Sequence, residues 1–164
     1  MSSEKLDLKV TQSIKLPRPL TPGASVTFYS ERLDISSSPD TTLEIFPGGK
    51  IDQVWITLLN NIHDIILRIH FRPQQNVVLL NSKLKDGHWQ IEQRFADLRR
   101  AFGPDISRAK IVVRNVGKEF LVYINGNFLR SYGKFVGGDA EFVDYGIDDG
   151  STALFADTFK VSME

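Results

Sequence analysis

Apolar and polar residues alternate one by one along much of this chain, most clearly from Ile65 to Arg72. Successive side chains of an extended strand point to opposite faces, so one face here is wholly apolar: Ile65, Leu67, Ile69 and Phe71. The other face begins with Ile66 and continues with three polar positions, Arg68, His70 and Arg72. We predict a strand whose apolar face covers a core and whose polar face meets solvent or a ligand.

Other short segments show the same period of two and are separated by turn signals. They span residues 26–30, 51–59, 110–114, 120–124 and 155–161. Asn125-Gly126 is a strong hairpin signal because both residues tolerate positive φ. This pattern predicts an all-β fold, a two-sheet antiparallel β-sandwich.

Three segments qualify this pattern. Loose alternation over residues 6–16 leads into Pro17, Pro19 and Pro22-Gly23, which predict a break in the chain. Residues 95–102 predict one short helical turn, closed by Gly103-Pro104. Trp55 lies in an apolar alternating run, and we interpret it as a structural residue.

Composition limits the possible classes of protein. The 164 residues, 41% of them hydrophobic, fit a single domain spanning 1–164 with a sizeable core. Lys+Arg and Asp+Glu both number 20, so no net charge favours nucleic acid as a partner. Cysteine is absent, the histidines are scattered, and no glycine-rich phosphate motif occurs, so we predict neither a metal nor a cofactor.

Hydropathy gives an expectation for localisation. No apolar run approaches the ~20 residues of a membrane-spanning helix, and the first residues contain no apolar signal segment. We therefore expect cytoplasmic synthesis without membrane insertion.

The strongest functional signal lies in residues 68–94. After the strand that carries Arg68, residues 77–80 are predicted to form the next strand, ending at Asn81, and a third polar stretch begins at Trp89. Three antiparallel strands would place the following residues on one surface: Arg68, His70, Arg72, Asn81, Glu92 and Arg94. Planar donors for hydroxyl groups and one flat indole face suit a sugar ring.

This segment resembles the carbohydrate-recognition site of galectins. In that family a strand carrying His-x-Asn-x-Arg is followed by a strand ending in Asn and by a Trp-x-x-Glu-x-Arg element. Trp89, Glu92 and Arg94 match the last element, and residues 77–82 match the middle one. The short turn at Arg72-Pro73 looks most like mushroom galectins, and residues 26–35 and 120–126 resemble other family strands.

The resemblance implies a galectin-like jelly roll and a carbohydrate-binding lectin for β-galactoside-type glycans, not an enzyme. Carried over position by position, the implied sugar-binding residues are Arg68, His70, Arg72, Asn81, Trp89, Glu92 and Arg94. The loop 36–42 is similar in position to one that shapes an outer subsite in mushroom galectins. The family likeness also implies export by a non-classical route if the protein meets extracellular glycans, and a homodimer or higher homo-oligomer.

One position departs from the family pattern. Anchoring on Arg72 and Asn81 puts Arg68 where galectins have their galactose-binding histidine and His70 where many have asparagine. In a second register His70 is the family histidine and Gln74 takes the arginine position. We favour the first register. Arginine only donates hydrogen bonds, so it cannot both donate to and accept from a sugar hydroxyl as histidine can.

The charges counted in the segment suggest a particular ligand. Arg68, His70, Arg72 and Arg94 face one acid, Glu92, so we expect sulfated or otherwise acidic galactosides to be preferred. We also expect the aspartates of residues 144–149 to lie far from the site, which leaves one carboxylate where a glycosidase needs two. The alternative function is a galectin-like domain that has lost sugar binding and serves as a self-associating or protein-interaction module.

Overall fold

Two six-stranded antiparallel sheets are the main elements of the computed structural model, which describes residues 5–35, 45–46, 50–90, 92–104, 107–151 and 153–164. The first sheet has the order β1 (Leu6–Lys9), β14 (Thr158–Met163), β3 (Ser25–Ser30), β10 (Ala109–Asn115), β11 (Glu119–Ile124) and β12 (Asn127–Gly133). The second sheet has the order β2 (Gln12–Leu20), β13 (Ala140–Ile147), β6 (Val54–Leu59), β7 (Ile65–Arg72), β8 (Val77–Lys83) and β9 (Gln93–Ala96). The short pair β4 (Ile45–Phe46) and β5 (Lys50–Ile51) is separate.

A single hydrophobic core joins the two sheets. Leu67, Ile69 and Phe71 of β7 are fully buried in it, as the alternation predicts. The alternation is wrong at the start of β7, where Ile66 is fully buried and Ile65 only half-buried, because the strand register is irregular there. The ring of Phe71 contacts that of Phe155 edge-on, with ring centroids 5.1 Å apart. Each fully buried large apolar side chain contributes roughly 1.5–3 kcal/mol. The predicted two-sheet antiparallel sandwich is confirmed.

The hairpin between β11 and β12 turns where it was predicted. Asn125 and Gly126 have φ values of 49° and 82°, the left-handed region that these residue types tolerate. The side chain of Asn125 also donates to the carbonyl oxygen of Phe102, 3.0 Å away.

The predicted chain break at Pro17 and Pro19 is wrong. Strand β2 runs through both prolines because it lies at an edge of the second sheet, where a missing N–H removes no bond to an outer neighbour. The break predicted at Pro22-Gly23 is confirmed, since β2 ends at Leu20 and β3 begins at Ser25. A further break, which was not predicted, lies at Val10 and Thr11, where Thr11 has a φ of 68°. That turn sends β1 and β2 into different sheets.

The helical turn is shorter than predicted. Strand β9 extends to Ala96, and helix α1 (Leu98–Phe102) follows Asp97, whose side chain caps the helix by accepting from the Arg100 N–H. Gly103 ends the helix, as expected. In the part of the chain described here, no helix is long and apolar enough to cross a membrane.

Candidate functional site

A cleft of about 370 Å³ lies on the face of the second sheet that points away from the core. Six of the seven predicted sugar-binding residues line it: Arg68, His70, Arg72, Asn81, Trp89 and Glu92. The seventh, Arg94, is 54% exposed and lies at the rim, where its Nη2 is 3.9 Å from a Glu92 oxygen. The cleft is also lined by Gln53, Trp55, Gln90 and Asp148, none of which the sequence predicted to be part of the site.

Strand register explains how these residues meet. Strand β7 lies between β6 and β8, and Arg68 is directly opposite Asn81 on one side and Thr57 on the other. Thr57 is in turn opposite Asp144 of β13. These four residues therefore form one cross-strand row that runs over β13, β6, β7 and β8.

Arg68 is held between two tryptophans. Its guanidinium carbon lies 5.0 Å from the ring centre of Trp55 and 5.3 Å from that of Trp89. Both distances are within the range of cation–π attraction. Burial lowers the pKa of Arg68, and the charges of Asp144 and Asp148 act in the opposite direction. Arginine is effectively always protonated in proteins, so we treat this guanidinium as a cation.

A hydrogen-bonded relay fixes the other end of this guanidinium. The Nε of Arg68 donates to the Thr57 hydroxyl oxygen at 2.8 Å. Thr57 is fully buried, and its side chain also hydrogen-bonds to Asp144, so its hydroxyl proton points to that carboxylate. Burial raises the pKa of Asp144, while the Thr57 hydrogen bond and the Arg68 charge lower it. The expectation that Asp144 lies far from the site is wrong.

Trp55 points away from the core into the cleft, whereas its neighbours Val54 and Ile56 belong to the core. Its half-buried indole lines the cleft and lies over Gly146, its neighbour on β13. A Cβ at position 146 would lie well inside van der Waals contact with the indole, so glycine is needed for this close approach. The alternation correctly placed Trp55 on a strand. It could not show that Gly146, about 90 residues later in the sequence, would lie beside it on the neighbouring strand.

Gln53 is the central residue of a second relay that sequence reasoning missed. Its amide nitrogen donates to Asp148 Oδ2 at 2.8 Å. Its amide oxygen is 3.1 Å from Arg72 Nε, which donates to it, and 3.3 Å from His70 Nδ1. Asp148 therefore supports the cleft, contrary to the expectation that Glu92 is the only acid there. Gln53 lies just before β6, where no periodic pattern distinguishes it from a loop residue.

His70 is neutral in this cleft. Burial, followed by repulsion from Arg68 and Arg72, lowers its pKa to about 3. The ring contacts Trp89 edge-on, with ring centroids 5.5 Å apart. Counting His70 among the positive groups of the site was therefore wrong. With Asp148 added to Glu92, the cationic excess is smaller than the sequence suggested.

Glu92 links two arginines. Its oxygens lie 3.7 Å from Arg72 Nη2 and 3.9 Å from Arg94 Nη2. Such partly exposed pairs stabilise a fold by only ~0–1 kcal/mol each. Their main effect here is to orient Arg72, whose Nε is already held by Gln53.

Asn81 and Trp89 complete the cleft. The side-chain oxygen of Asn81 accepts from the Ser82 N–H at 2.9 Å, and its NH₂ group makes no hydrogen bond among the described residues. Strand β8 continues past Asn81 to Lys83, two residues further than predicted. Trp89 is 40% exposed and bridges to Lys83, whose ammonium lies 5.5 Å from the indole ring centre.

A second cleft of about 320 Å³ adjoins the first across Trp55 and Arg68. It is bounded by the turn at Thr11 and by Asp144 to Ile147 of β13. The loop 36–42, predicted as an outer subsite, lies outside the described residues. Among the residues that the structure describes, no group of three or more histidine, aspartate or glutamate side chains could hold a metal ion.

The sandwich is that of a carbohydrate-binding lectin. Residues 11–136 match the family model described as galactoside-binding lectin. The chain therefore belongs to this family, the galectins, whose members are non-enzymatic carbohydrate binders.

Relatives and solved structures agree with this assignment. The chain is 28% identical over 144 residues to a fungal protein described as "Anti-tumor lectin" from Cyclocybe aegerita, covering 88% of this chain and 85% of that one. Caenorhabditis elegans galectin LEC-6 has the same fold, with a TM-score of 0.63 at 14% identity over 96% of this chain and 95% of that one. Sheep galectin-11, solved in complex with glycerol, has a TM-score of 0.61 at 18% identity, covering 96% of this chain and 98% of that one. The resemblance to galectins, and to fungal members in particular, is confirmed.

Proposed function

We propose that this protein is a lectin that binds β-galactoside-type glycans in the cleft on β6, β7 and β8, with a specificity altered by Arg68. The observation that carries the proposal is the convergence of Arg72, Asn81 and Glu92 around the exposed indole of Trp89. These are the family-motif positions, and the register brings them into one cleft although they come from three separate segments of the chain.

The chemistry of the cleft suits a pyranose ring. The C–H groups on one face of a sugar are slightly positive and stack favourably on the negative face of an indole such as Trp89. Arg72 is fixed by both Gln53 and Glu92, and a residue held in this way loses little entropy when it donates to a hydroxyl group. Recognition by prearranged donors therefore needs little reorganisation.

Arg68 changes what this cleft can accept. Its guanidinium covers part of the Trp89 ring, and its hydrogen bonding among the described residues uses only Nε. The two terminal nitrogens provide donors for a bidentate acceptor such as a sulfate or carboxylate. We propose that sulfated or otherwise acidic galactosides are preferred for this reason, rather than because of the net charge of the cleft.

A hydrolytic role is not part of the proposal, although two carboxylates line the cleft. Glu92 pairs with Arg72 and Arg94, and Asp148 accepts from Gln53. Both acids are engaged in positioning the residues beside them. A glycosidase needs one carboxyl group free to protonate the leaving oxygen.

A glycan array probed with labelled protein tests this function. It should contain neutral galactosides, their sulfated and sialylated forms, and chitin oligomers. We expect galactosides to bind, acidic forms more strongly than neutral ones, and Trp89→Ala to lose at least tenfold in affinity. Lys160→Ala, on the first sheet and far from the cleft, is the matched control. Selective binding to N-acetylglucosamine oligomers would contradict the galactose assignment but not the lectin assignment.

The alternative, a self-associating or protein-interaction module, is favoured by one observation. Edge strand β12 exposes 58% of Phe128, and Phe135 just beyond it is equally exposed. Exposed aromatic residues on a sheet edge are common in protein contacts. Two results together would support this second function. Folded protein would bind no glycan on the array, and light scattering would show a dimer for the wild type but a monomer for Phe128→Ser.

A further inference from the structure

The hydrogen bonds of Gln53 determine which way its amide points. Asp148, as a carboxylate, only accepts hydrogen bonds, and Arg72 only donates them. The amide nitrogen must therefore face Asp148, and the amide oxygen must face Arg72. The orientation of an amide is often ambiguous, but here partners of opposite type on its two ends leave one solution.

This orientation decides where His70 carries its proton. Nδ1 of His70 lies 3.3 Å from the Gln53 amide oxygen, which can only accept. Nδ1 must therefore carry a hydrogen. A neutral imidazole has one ring proton, so Nε2 keeps its lone pair. Among the described residues Nε2 has no hydrogen-bond partner, and the ring lines the cleft.

An acceptor at this place fills a chemical gap in the cleft. Arg68 and Arg72 present only donors, and Asn81 adds an NH₂ group that makes no hydrogen bond among the described residues. The oxygens of Glu92 are paired with arginines. A sugar hydroxyl accepts one or two hydrogen bonds but must also donate its own proton. Nε2 of His70 provides an acceptor for that proton beside the donors of Arg68, Arg72 and Asn81.

We propose that His70 is the specificity-determining hydrogen-bond acceptor of this cleft, and that the Asp148–Gln53 pair fixes its tautomer so that Nε2 receives the proton of a ligand hydroxyl group. His70 thus supplies the acceptor that Arg68 cannot provide. The ligand part of this inference rests on the proposed function, whereas the tautomer does not.

The tautomer can be tested without a ligand. Long-range ¹H–¹⁵N spectra of the wild-type protein between pH 6 and 8 should show one neutral histidine protonated at Nδ1, and His70→Phe should remove that signal. Gln53→Leu should shift this histidine toward a mixture of tautomers, and His63→Asn is a control that leaves the His70 signal in place. Charged groups facing the ring are Arg68, Arg72, Glu92 and Asp148. A His70 that is protonated at Nε2, or charged at pH 7, would overturn the proposal.

The acceptor role can be tested with fluorinated ligands, because fluorine in place of a hydroxyl cannot donate. The probe is 3′-O-sulfated methyl β-lactoside, with analogues that carry fluorine at one remaining galactose position. In calorimetry we expect one fluorinated analogue to bind wild-type protein about tenfold more weakly than the parent, the loss of roughly one hydrogen bond. The affinity of the His70→Phe variant for the unfluorinated parent should be lower by a similar factor. For this variant, the affinities for the parent and for that fluorinated analogue should differ by less than twofold.

The outcomes separate the two proposals. If the parent binds but the fluorine penalty is equal in wild type and His70→Phe, the acceptor role of His70 is wrong and the lectin assignment stands. If neither the sulfated lactoside nor its neutral form binds folded wild-type protein, the galactoside assignment fails. The hydroxyl contact proposed for His70 then fails with it, while the spectra still decide the tautomer.

Discussion

The guanidinium carbon of Arg68 lies 5.3 Å from the ring centre of Trp89, so a cation covers part of the aromatic face that a sugar would use. A second indole, Trp55, lies 5.0 Å from the same carbon. The two rings and the Thr57 hydrogen bond hold Arg68 in the middle of the cleft. A neutral galactoside bound on Trp89 as proposed would therefore compete with this side chain for the indole face.

Replacing Arg68 should open the platform. We expect Arg68→His to increase affinity for neutral lactose at least tenfold, because a smaller ring that can both donate and accept would replace a donor-only cation. The same variant should lose the preference for sulfated ligands. Calorimetry with lactose and 3′-O-sulfated lactose measures both effects. If Arg68→His gains nothing and Trp89→Ala also changes nothing, the site assignment is wrong.

The preference for acidic ligands should depend on salt. Raising the ionic strength from about 0.01 M to about 1 M shortens the screening length from about 30 Å to about 3 Å. We expect the affinity ratio of sulfated to neutral galactosides to fall by several-fold over that range, since the contact with Arg68 is partly open to solvent. An unchanged ratio would show that Arg68 does not contact the sulfate.

Acid should destabilise the fold through His70. Its pKa is about 3 in the folded protein and near 6.5 when unfolded, so the unfolded chain binds the extra proton first as pH falls. The stabilisation is complete above pH 6.5 and is lost progressively toward pH 3. We expect this one residue to lower the free energy of unfolding by about 2 kcal/mol between pH 8 and pH 5.

The variant His70→Gln provides the comparison for that experiment, because glutamine does not titrate. Urea unfolding gives the free energy of unfolding at pH 8 and at pH 5. The drop between these two pH values should be about 2 kcal/mol smaller in His70→Gln than in the wild type. Equal pH dependence in the two proteins would contradict the neutral, buried state of His70.

Gly146 should be intolerant of any side chain. A methyl group there would collide with the Trp55 indole, so Gly146→Ala should cost about 1–3 kcal/mol of stability and displace Trp55 from the cleft. Thermal unfolding and tryptophan fluorescence measure the two effects. Gly133→Ala is the matched control, since a Cβ at Gly133 meets nothing within 4 Å. Similar losses in both variants would show that contact with Trp55 is not the cause.

The sequence was sufficient for features that depend on local periodicity. The alternation predicted both faces of β7 from Leu67 to Arg72, and Asn125-Gly126 predicted the hairpin, because each signal is contained within a few neighbouring residues. Family motifs then identified residues that the structure brings together in one cleft, although their sugar-binding roles remain a prediction.

What could not be predicted depends on which strands are neighbours. Asp144 and Asp148 are more than 70 residues from Arg68 in sequence, and only the pairing of β13 with β6 brings them near it. Gln53 and Trp55 were missed for the same reason. Their partners come from β7 and β13, and no period along one strand gives the order of strands in a sheet.

The two relays have a consequence for how ligand preference could change among proteins of this fold. Asp144 acts on Arg68 through Thr57, and Asp148 acts on His70 and Arg72 through Gln53. Positions at which no sugar needs to bind thus control the donors and acceptors that a sugar meets. Two galectins with the same residues at every ligand contact could therefore select different glycans. The substitutions responsible would lie on or beside β13, two strands away from the contact residues of β7.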